Sequence, residues 1–239
     1  MIALLGTTGK IGGAALRFLQ QQQVPVRAVT RAQADMRDPE ALGSALQGAE
    51  AILTLLPFDF NSLQALQASL LQTLGQLRPA HFLFISDYGA HHPEGTGIPA
   101  IFHQIEKQLL DLKLPCTILR SAEHMQNWLR PGQANFYPPD TPPRPFVSAY
   151  DVGEIAARLL LEPPPPGSRI LHAEGPRRYP LSELARFPQA SPEAAGLPEA
   201  LARVLSETYR AHGQGLIEVE PGGKVLRGPT ELSEVLQNL

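Results

Sequence analysis

The sequence predicts an α/β fold in which helices cover both faces of a parallel β-sheet. Short apolar runs suited to buried strands alternate with helix-length amphipathic segments along the first two thirds of the chain. The first run, Ile2–Leu5, is followed at once by a glycine-rich turn and a helical segment. A strand, a glycine turn and a helix in this order are typical of a Rossmann-type, doubly wound sheet that binds a dinucleotide.

The glycine turn covers residues 6–13 with the spacing G-x-x-G-x-x-G instead of G-x-G-x-x-G. Gly6 allows a tight turn, Gly9 lets the backbone approach a phosphate, and Gly12 or Gly13 lets the helix pack closely on the sheet. The helix N-terminus adds unpaired N–H groups and the positive end of a dipole. The alternative is an ordinary glycine-rich turn that binds nothing. The predicted cofactor contacts in this segment are Gly6, Thr8, Gly9, Lys10, Ile11 and Gly12.

The composition of the 239-residue chain limits its class. Hydrophobic residues make up 43%, enough for a large core, and a formal charge of −3 argues against a nucleic-acid-binding surface. The single cysteine, Cys116, fits a reducing compartment and lies in an apolar run that predicts burial. No segment resembles a transmembrane helix or a signal peptide, so we expect a cytoplasmic protein with no membrane partner.

Further elements follow in order along the chain. The predicted strands are residues 24–31, 51–56, 82–85, 116–120 and 170–173. The predicted helices are residues 41–46, 61–77, 101–112, 151–161, 181–187, 198–209 and 230–239, with Asp38 as the N-cap of the first of these and an irregular, proline-rich arm at 135–145.

These elements predict two domains. Residues 1–130 form the dinucleotide-binding domain, to which residues 145–173 return, while residues 131–144 and 174–239 form a smaller C-terminal substrate lobe.

Arg31 ends the second predicted strand, where the adenosine ribose of a dinucleotide lies in a doubly wound sheet. An acidic residue here accepts from the ribose 2′-hydroxyl of NAD, whereas an arginine suits the 2′-phosphate of NADP. The sequence therefore favours NADP (NADPH), with NAD as the alternative cofactor. The other reading of Arg31 is a solvated surface residue.

Several segments carry a resemblance to a known family: the glycine turn and residues 26–31, 34–38, 106–109, 117–120, 125–127, 146–152 and 226–230. Together they resemble the NmrA-like group of atypical short-chain dehydrogenases, and the resemblance covers almost the whole chain. The group includes NADP-dependent quinone reductases, dye and phenylpropanoid reductases, and cofactor-sensing regulators. The resemblance therefore implies the fold and the cofactor class better than it implies the reaction.

The chain departs from this group after Arg31. Only three residues separate Arg31 from Asp35, too few for the helix and third strand that relatives have there. We therefore predict that both are deleted and that the second strand is an exposed sheet edge. One hypothesis is that a second subunit covers this edge in a homodimer. The resemblance implies that Asp35 reaches the adenine, and further cofactor contacts are predicted at Leu56, Pro57 and Ser86.

The usual catalytic dyad of short-chain dehydrogenases, a tyrosine with a lysine four residues later, is absent. Some relatives instead carry a lysine at the position of Phe102. The candidate catalytic residues are Ser86 and Tyr88, which end a strand, and His103. The alternatives are hydroxyls satisfied by turn backbone and a histidine at the surface.

His124 and Asn127 lie where relatives hold substrate. Trp128 is a candidate for an apolar wall beside a flat substrate, and it is equally suited to anchoring the second lobe. The histidines and acidic residues show no metal-ligand spacing. The first functional prediction is an NADP-dependent reductase that transfers hydride to a small, flat acceptor such as a quinone. The second is a non-catalytic NADP-binding redox sensor, favoured by the missing dyad.

Overall fold

A computed structural model describes residues 1–57, 61–129, 141–184 and 199–237. The chain forms two compact units. Unit 1 consists of Met1–Ser86, Ile105–Leu119 and Tyr150–Leu171. Unit 2 consists of Asp87–Gln104, Arg120–Ala149 and His172–Leu239. The domain boundaries inferred from the sequence stay a prediction.

Strands and helices alternate through the first half of the chain. The strands are β1 (Ile2–Leu5), β2 (Val26–Val29), β3 (Ala51–Leu55), β4 (His81–Asp87), β5 (Cys116–Ser121), β6 (Glu123–His124), β7 (Arg144–Val147), β8 (Ser168–Glu174), β9 (Arg178–Tyr179) and β10 (Lys224–Arg227). The helices are α1 (Lys10–Gln21), α2 (Pro39–Leu46), α3 (Leu63–Leu77), α4 (Ile98–Asp111), α5 (Ala149–Leu161), α6 (Leu181–Leu184), α7 (Glu199–Gly213) and α8 (Leu232–Gln237), with a 3₁₀ turn at Met125–Leu129.

The main sheet has seven strands in the order β10-β8-β5-β4-β3-β1-β2. The pairs β1–β2, β1–β3 and β3–β4 are parallel, with Leu4 opposite both Ala28 and Leu53. Leu4 and Leu53 are fully buried because parallel strands are covered on both faces. The predicted α/β fold with a doubly wound parallel sheet is thereby confirmed. Cys116 is also buried, as expected.

Strand β2 is the last strand of the sheet. After it the chain makes a tight turn, in which the N–H groups of Gln33 and Ala34 both donate to the Thr30 carbonyl oxygen at 3.0 Å. No helix or strand stands between Val29 and Asp38, which confirms the predicted deletion. The Asp38 carboxylate then caps α2 by accepting from two backbone N–H groups, at 3.0 and 3.1 Å.

Unit 2 contains a second sheet of three short strands in the order β6-β7-β9. Strand β7 pairs in parallel with β6 and antiparallel with β9. Phe146 of β7 and Tyr179 of β9 are fully buried and meet edge to face, 6.1 Å between ring centroids. The predicted arm at 135–140 and the predicted helical residues 185–187 lie outside the described residues. None of the helices within the described ranges could reach across a lipid bilayer as an apolar span.

Candidate cofactor-binding edge and buried polar clusters

The glycine turn between β1 and α1 is fixed by its own backbone. Gly6 has a φ of +72°, in the left-handed region that favours glycine. The Gly9 N–H donates to the Gly6 carbonyl oxygen at 3.0 Å and closes the turn. A Cβ atom on Gly12 would lie 2.4 Å from the same oxygen, so a side chain at this position requires the turn to move. The first turn of α1 therefore lies directly against the backbone of the glycine turn.

Helix α1 begins without a side-chain cap. Gly9 is its N-cap residue, in an extended conformation, and the first turn of the helix carries no acidic residue. The residues at the start of α1 differ in exposure: Thr8, Gly9 and Lys10 are exposed, whereas Ile11 is buried. The first N–H groups of the helix and the Lys10 ammonium thus form a positive, solvent-facing end. This arrangement can bind an anionic group such as a phosphate.

The parallel pairing of unit 1 gathers residues from four separate segments at one sheet edge. Strands β1, β2, β3 and β4 are neighbours, and their carboxyl ends lie on the same side. Gly6, Arg31, Leu56 and Ser86 follow or end these strands. Arg31 and Pro57 are exposed, whereas Leu56 and Ser86 are buried. The candidate cofactor residues therefore share an edge, although their side chains differ in access to solvent.

Asp35 forms a two-pronged ion pair with Arg37. The Arg37 Nε lies 3.0 and 3.1 Å from the two carboxylate oxygens of Asp35, and Nη2 lies 2.5 Å from Oδ2. The hydrogen bonds from the Arg37 side chain and backbone lower the pKa of Asp35 to about 2, and the charge of Arg31 acts in the same direction. Asp35 is therefore ionised at neutral pH, with arginines as its charged neighbours.

The Ser86 hydroxyl donates to a buried carboxylate. Its Oγ lies 2.5 Å from Oε1 of Glu106, and both residues are less than 5% exposed. Ser86 is the last residue of the first segment of unit 1, and Glu106 lies in the part of α4 that belongs to the same unit. The hydroxyl proton of Ser86 is directed to Glu106. The predicted role of Ser86 at the cofactor or substrate stays a prediction.

Tyr88 and His103 belong to unit 2. The Tyr88 hydroxyl donates to Oε1 of Glu174 in a very short hydrogen bond. Burial, and then this hydrogen bond, raise the pKa of Tyr88 far above its usual value. The His103 Nδ1 lies 2.9 Å from the Ala90 carbonyl oxygen. Because a carbonyl only accepts, Nδ1 carries a proton, and Nε2 is the acceptor in the neutral ring.

Glu174, at the end of β8, is the centre of a buried ion-pair cluster. Its side chain is 2% exposed and contacts Arg227 at 2.8 Å and Arg178 at 3.3 Å, besides the Tyr88 hydroxyl. Arg178 also pairs with Glu218 at 2.5 Å. We call these residues the Glu174 cluster. A buried carboxylate with two arginines and a hydroxyl is fully compensated, and within unit 2 it links Tyr88 with residues of β8, β9 and β10.

A second polar group of unit 2 contains His91, His172, Arg120 and Glu220. Arg120 is almost completely buried and pairs with Glu220 at 3.0 Å. The His172 ring is fully buried and packs edge to face on the Tyr88 ring at 5.3 Å. Burial, followed by the charge of Arg120, lowers the pKa of His172, and burial and neighbouring cations lower that of His91 to about 4. Both rings are therefore neutral at pH 7.

The predicted substrate residues lie on β6 and the 3₁₀ turn. Ser121 Oγ donates to the Ala122 carbonyl oxygen at 3.0 Å, so His124 Nε2, 2.9 Å from the same Oγ, acts as a donor. Gln126 anchors this turn by accepting from the Ala149 N–H at 2.8 Å. Asn127 is half-buried, and the side chain of Trp128 lies outside the described residues. Their roles towards a substrate stay predictions.

An open trough of about 720 Å³ runs along β2 and α2, away from the glycine turn. Its wall includes Arg27, whose guanidinium donates to the Ala45 and Gln47 carbonyl oxygens at the end of α2. It does not coincide with the candidate cofactor residues. Across the described parts of both units, no three histidine, cysteine or acidic side chains come together as a metal site.

Comparisons with known proteins agree with this architecture. No family model matches the sequence. An NAD(P)H azoreductase from Xenophilus azovorans is 25% identical over 248 aligned residues, covering 87% of this chain and 86% of that protein.

The solved structures extend the similarity to the whole fold. An NADPH-dependent quinone oxidoreductase from Escherichia coli, in complex with NADPH, superimposes with a TM-score of 0.80 and 22% identity, covering 100% of this chain and 99% of that one. The triphenylmethane reductase of Citrobacter sp., in complex with NADP(H), gives 0.74 and 18%, covering 99% of both chains. The chain thus has the fold of these reductases, and the predicted resemblance is confirmed at the level of the fold.

Sequence reasoning missed three polar residues that the structure places in buried or paired positions. Glu106 and Glu174 hold the hydroxyls of Ser86 and Tyr88, and Arg37 holds Asp35. Glu174 follows a short apolar run and Glu106 lies among apolar helix residues, which are weak signals of burial. Arg37 stands two residues after an aspartate in a turn, a spacing that allows a local ion pair.

Proposed function

We propose that the protein is an NADP-dependent reductase that transfers hydride to a small, flat organic acceptor. The observation that carries the proposal is the uncapped N-terminus of α1 behind a closed glycine turn, with Arg31 at the neighbouring strand end. The azoreductase, quinone oxidoreductase and triphenylmethane reductase to which the chain is similar support the same reaction class.

The residues of the unit 1 edge would hold the cofactor. The glycine turn and Lys10 face the pyrophosphate, since backbone N–H groups and an ammonium are suited to its negative charge. Arg31 faces the 2′-phosphate, while Leu56, Pro57 and Ser86 flank the path of the dinucleotide. The nicotinamide ring supplies the hydride when the cofactor is bound.

Among the proposed catalytic residues, His103 is the best suited to proton supply. The Nδ1 proton is held by the Ala90 carbonyl, so Nε2 would take up a proton from solvent and then pass it to the reduced substrate. Tyr88 and Ser86 keep their protons directed at Glu174 and Glu106, so we assign them an orienting role. His124, Asn127 and Trp128 are the proposed substrate contacts, and a quinone is the proposed acceptor.

The second candidate function is a non-catalytic protein that binds NADP and reports its redox state. Two observations favour it. The sequence has no Tyr–Lys dyad, and the hydroxyls of Ser86 and Tyr88 already donate to carboxylates. Such a protein would bind both NADPH and NADP⁺ but would not oxidise NADPH.

Two measurements test the proposal together. Thermal unfolding with and without saturating NADPH, NADP⁺ and NADH should show a higher melting temperature with NADPH. NADPH oxidation is then followed with quinones, azo dyes and triphenylmethane dyes. A cofactor-dependent shift with turnover supports the reductase, and a shift without turnover supports the sensor. No shift with any cofactor rejects both.

The exposed edge of β2 supports a further proposal, that two copies of the chain associate there. Among the described residues, no strand pairs with the outer edge of β2, and the Arg27 guanidinium donates to the Ala45 and Gln47 carbonyl oxygens at the end of α2. Light scattering over a range of concentrations should then give twice the monomer mass. A mass that stays at 26.0 kDa would reject a homodimer.

A further inference from the structure

The segment of residues 31–37, after β2, carries three charged residues, Arg31, Asp35 and Arg37. The three-residue link that replaces a helix and a strand brings them close together in the sequence. Both oxygens of Asp35 are taken by Arg37, and the charge of Arg31 is near enough to lower the pKa of the same carboxylate. This segment follows the strand end at which a dinucleotide ribose lies in a doubly wound sheet.

A free carboxylate and a paired carboxylate favour different cofactors at this place. A free carboxylate accepts hydrogen bonds from the ribose 2′-hydroxyl of NAD and repels the doubly charged 2′-phosphate of NADP. When an arginine holds both oxygens, the carboxylate has little remaining capacity to accept, and its charge is cancelled. The net charge of the segment is then positive, because it is set by Arg31.

On the basis of the proposed function, we infer that Arg37 determines the preference for a 2′-phosphorylated dinucleotide. It does so by neutralising Asp35, so that Arg31 faces the 2′-phosphate without an opposing negative charge. Asp35 in turn holds the Arg37 guanidinium in place. The specificity therefore belongs to the three residues as a set and not to Arg31 alone.

The test compares cofactor affinities of the wild type and an Arg37→Gln variant. Arg37 is exposed, so the variant should fold normally. Dissociation constants for NADPH and NADH are measured by fluorescence titration at fixed, low ionic strength. We expect the preference for NADPH over NADH to fall by about fivefold or more in the variant, as the released Asp35 repels one cofactor and accepts from the other.

Two further variants define the cause. The double variant Asp35→Asn with Arg37→Gln removes the repelling carboxylate as well and should recover part of the NADPH affinity. Lys107→Gln changes the net charge equally, at an exposed position of α4 in the same unit, and should leave the preference unchanged.

The outcomes separate this inference from the proposed function. If neither cofactor binds the wild type, the proposed function itself is wrong. If the wild type prefers NADPH and the preference survives in Arg37→Gln, or if it binds both cofactors equally, the role of Arg37 is rejected. A loss in Arg37→Gln that the double variant does not recover at all rejects the neutralisation of Asp35 as its cause.

Discussion

The glycine turn of unit 1 and the Glu174 cluster of unit 2 differ in whether their charge is compensated by other groups of the protein. At the turn, backbone N–H groups and Lys10 face solvent, and neither a side-chain cap nor an acidic residue of the first helical turn compensates them. In the cluster, a carboxylate that is 2% exposed is surrounded by two arginines and a tyrosine hydroxyl. The first arrangement is ready for an external anion, and the second is complete within the protein.

This difference distinguishes a binding feature from a structural one. Among the described residues, no side chain caps the N-terminus of α1, so a bound phosphate adds an interaction with the positive end of the helix dipole. A compensated buried carboxylate gains nothing from a ligand, but losing one partner leaves a charge without balance. Substitutions in the two regions should therefore affect cofactor binding and stability to different degrees.

The largest expected effect is that of Gly12→Ala in the turn. Its Cβ would lie 2.4 Å from the backbone oxygen of Gly6, which cannot yield as a flexible side chain does. We expect a destabilisation of about 3 kcal/mol and loss of the NADPH-dependent rise in melting temperature. Urea unfolding and thermal shift measure the two effects.

Gly43→Ala is the matched control for this substitution. Gly43 lies in α2, and a Cβ atom there meets nothing within 4 Å. Alanine should stabilise the helix by about 0.5–1 kcal/mol and leave cofactor binding intact. If Gly12→Ala behaves like this control, the turn is not the close-packed site described above.

The second test concerns the cluster, through Glu174→Gln. The substitution keeps the shape of the side chain but leaves Arg227 and Arg178 without their buried counter-charge. Because both arginines are partly exposed and can be solvated, we expect a loss of about 2 kcal/mol, below the full cost of a broken buried pair. Urea unfolding measures this loss, and cofactor affinity should change little.

Glu218→Gln serves as the comparison within the same cluster. Glu218 pairs with Arg178 but is 30% exposed, so its removal should cost less than about 1 kcal/mol. Equal losses for the two variants would show that burial of Glu174 does not set the energetics of the cluster.

At neutral pH the smallest effect is that of a pH dependence shared by both units. Burial lowers the pKa of His81 in unit 1 and of His91 in unit 2 to about 4. The unfolded chain takes up these protons below a pKa of about 6.5, so stability falls as the pH drops from 6.5 towards 4. Each histidine contributes at most about 1.4 kcal/mol per pH unit.

Urea midpoints at pH values across this window measure the loss, which His81→Gln and His91→Gln should each reduce. The Asp35 carboxylate contributes little above about pH 5, since its pKa of about 2 and its usual value near 3.8 both lie well below that pH. Stability that stays constant or rises on acidification would show that the two histidines are not buried in the neutral form.

The sequence predicted the fold because its signals are local. The apolar run of Ile2–Leu5, the glycines behind it and the N-cap at Asp38 each act within a few residues, and the structure has all three. The deletion after β2 followed from the resemblance and from local chain length, since relatives have a helix and a strand there and three residues cannot form a crossover. Element ends were less certain, and β2 is Val26–Val29 instead of residues 24–31.

The polar partners of the candidate residues could not be predicted in the same way. Tyr88 and Glu174 are 86 positions apart, and Ser86 and Glu106 are 20 apart. A glutamate in an exposed loop and a glutamate buried beside a tyrosine look alike in a sequence, because the difference lies in what the sheet brings next to them. Arg37 was within reach of local reasoning, but its pairing depends on the turn made by residues 30–34.

By itself, the sequence determined the alternation of strands and helices, the glycine turn that closes before α1 and the shortened link after β2, since these depend on backbone geometry over a few residues. Only the tertiary structure decided which carboxylates are buried, which hydroxyl groups donate hydrogen bonds to them and which arginines compensate their charge. The physical reason is that burial of a charge is favourable only when partners from distant segments arrive together, and the order of strands in the sheet sets that arrival.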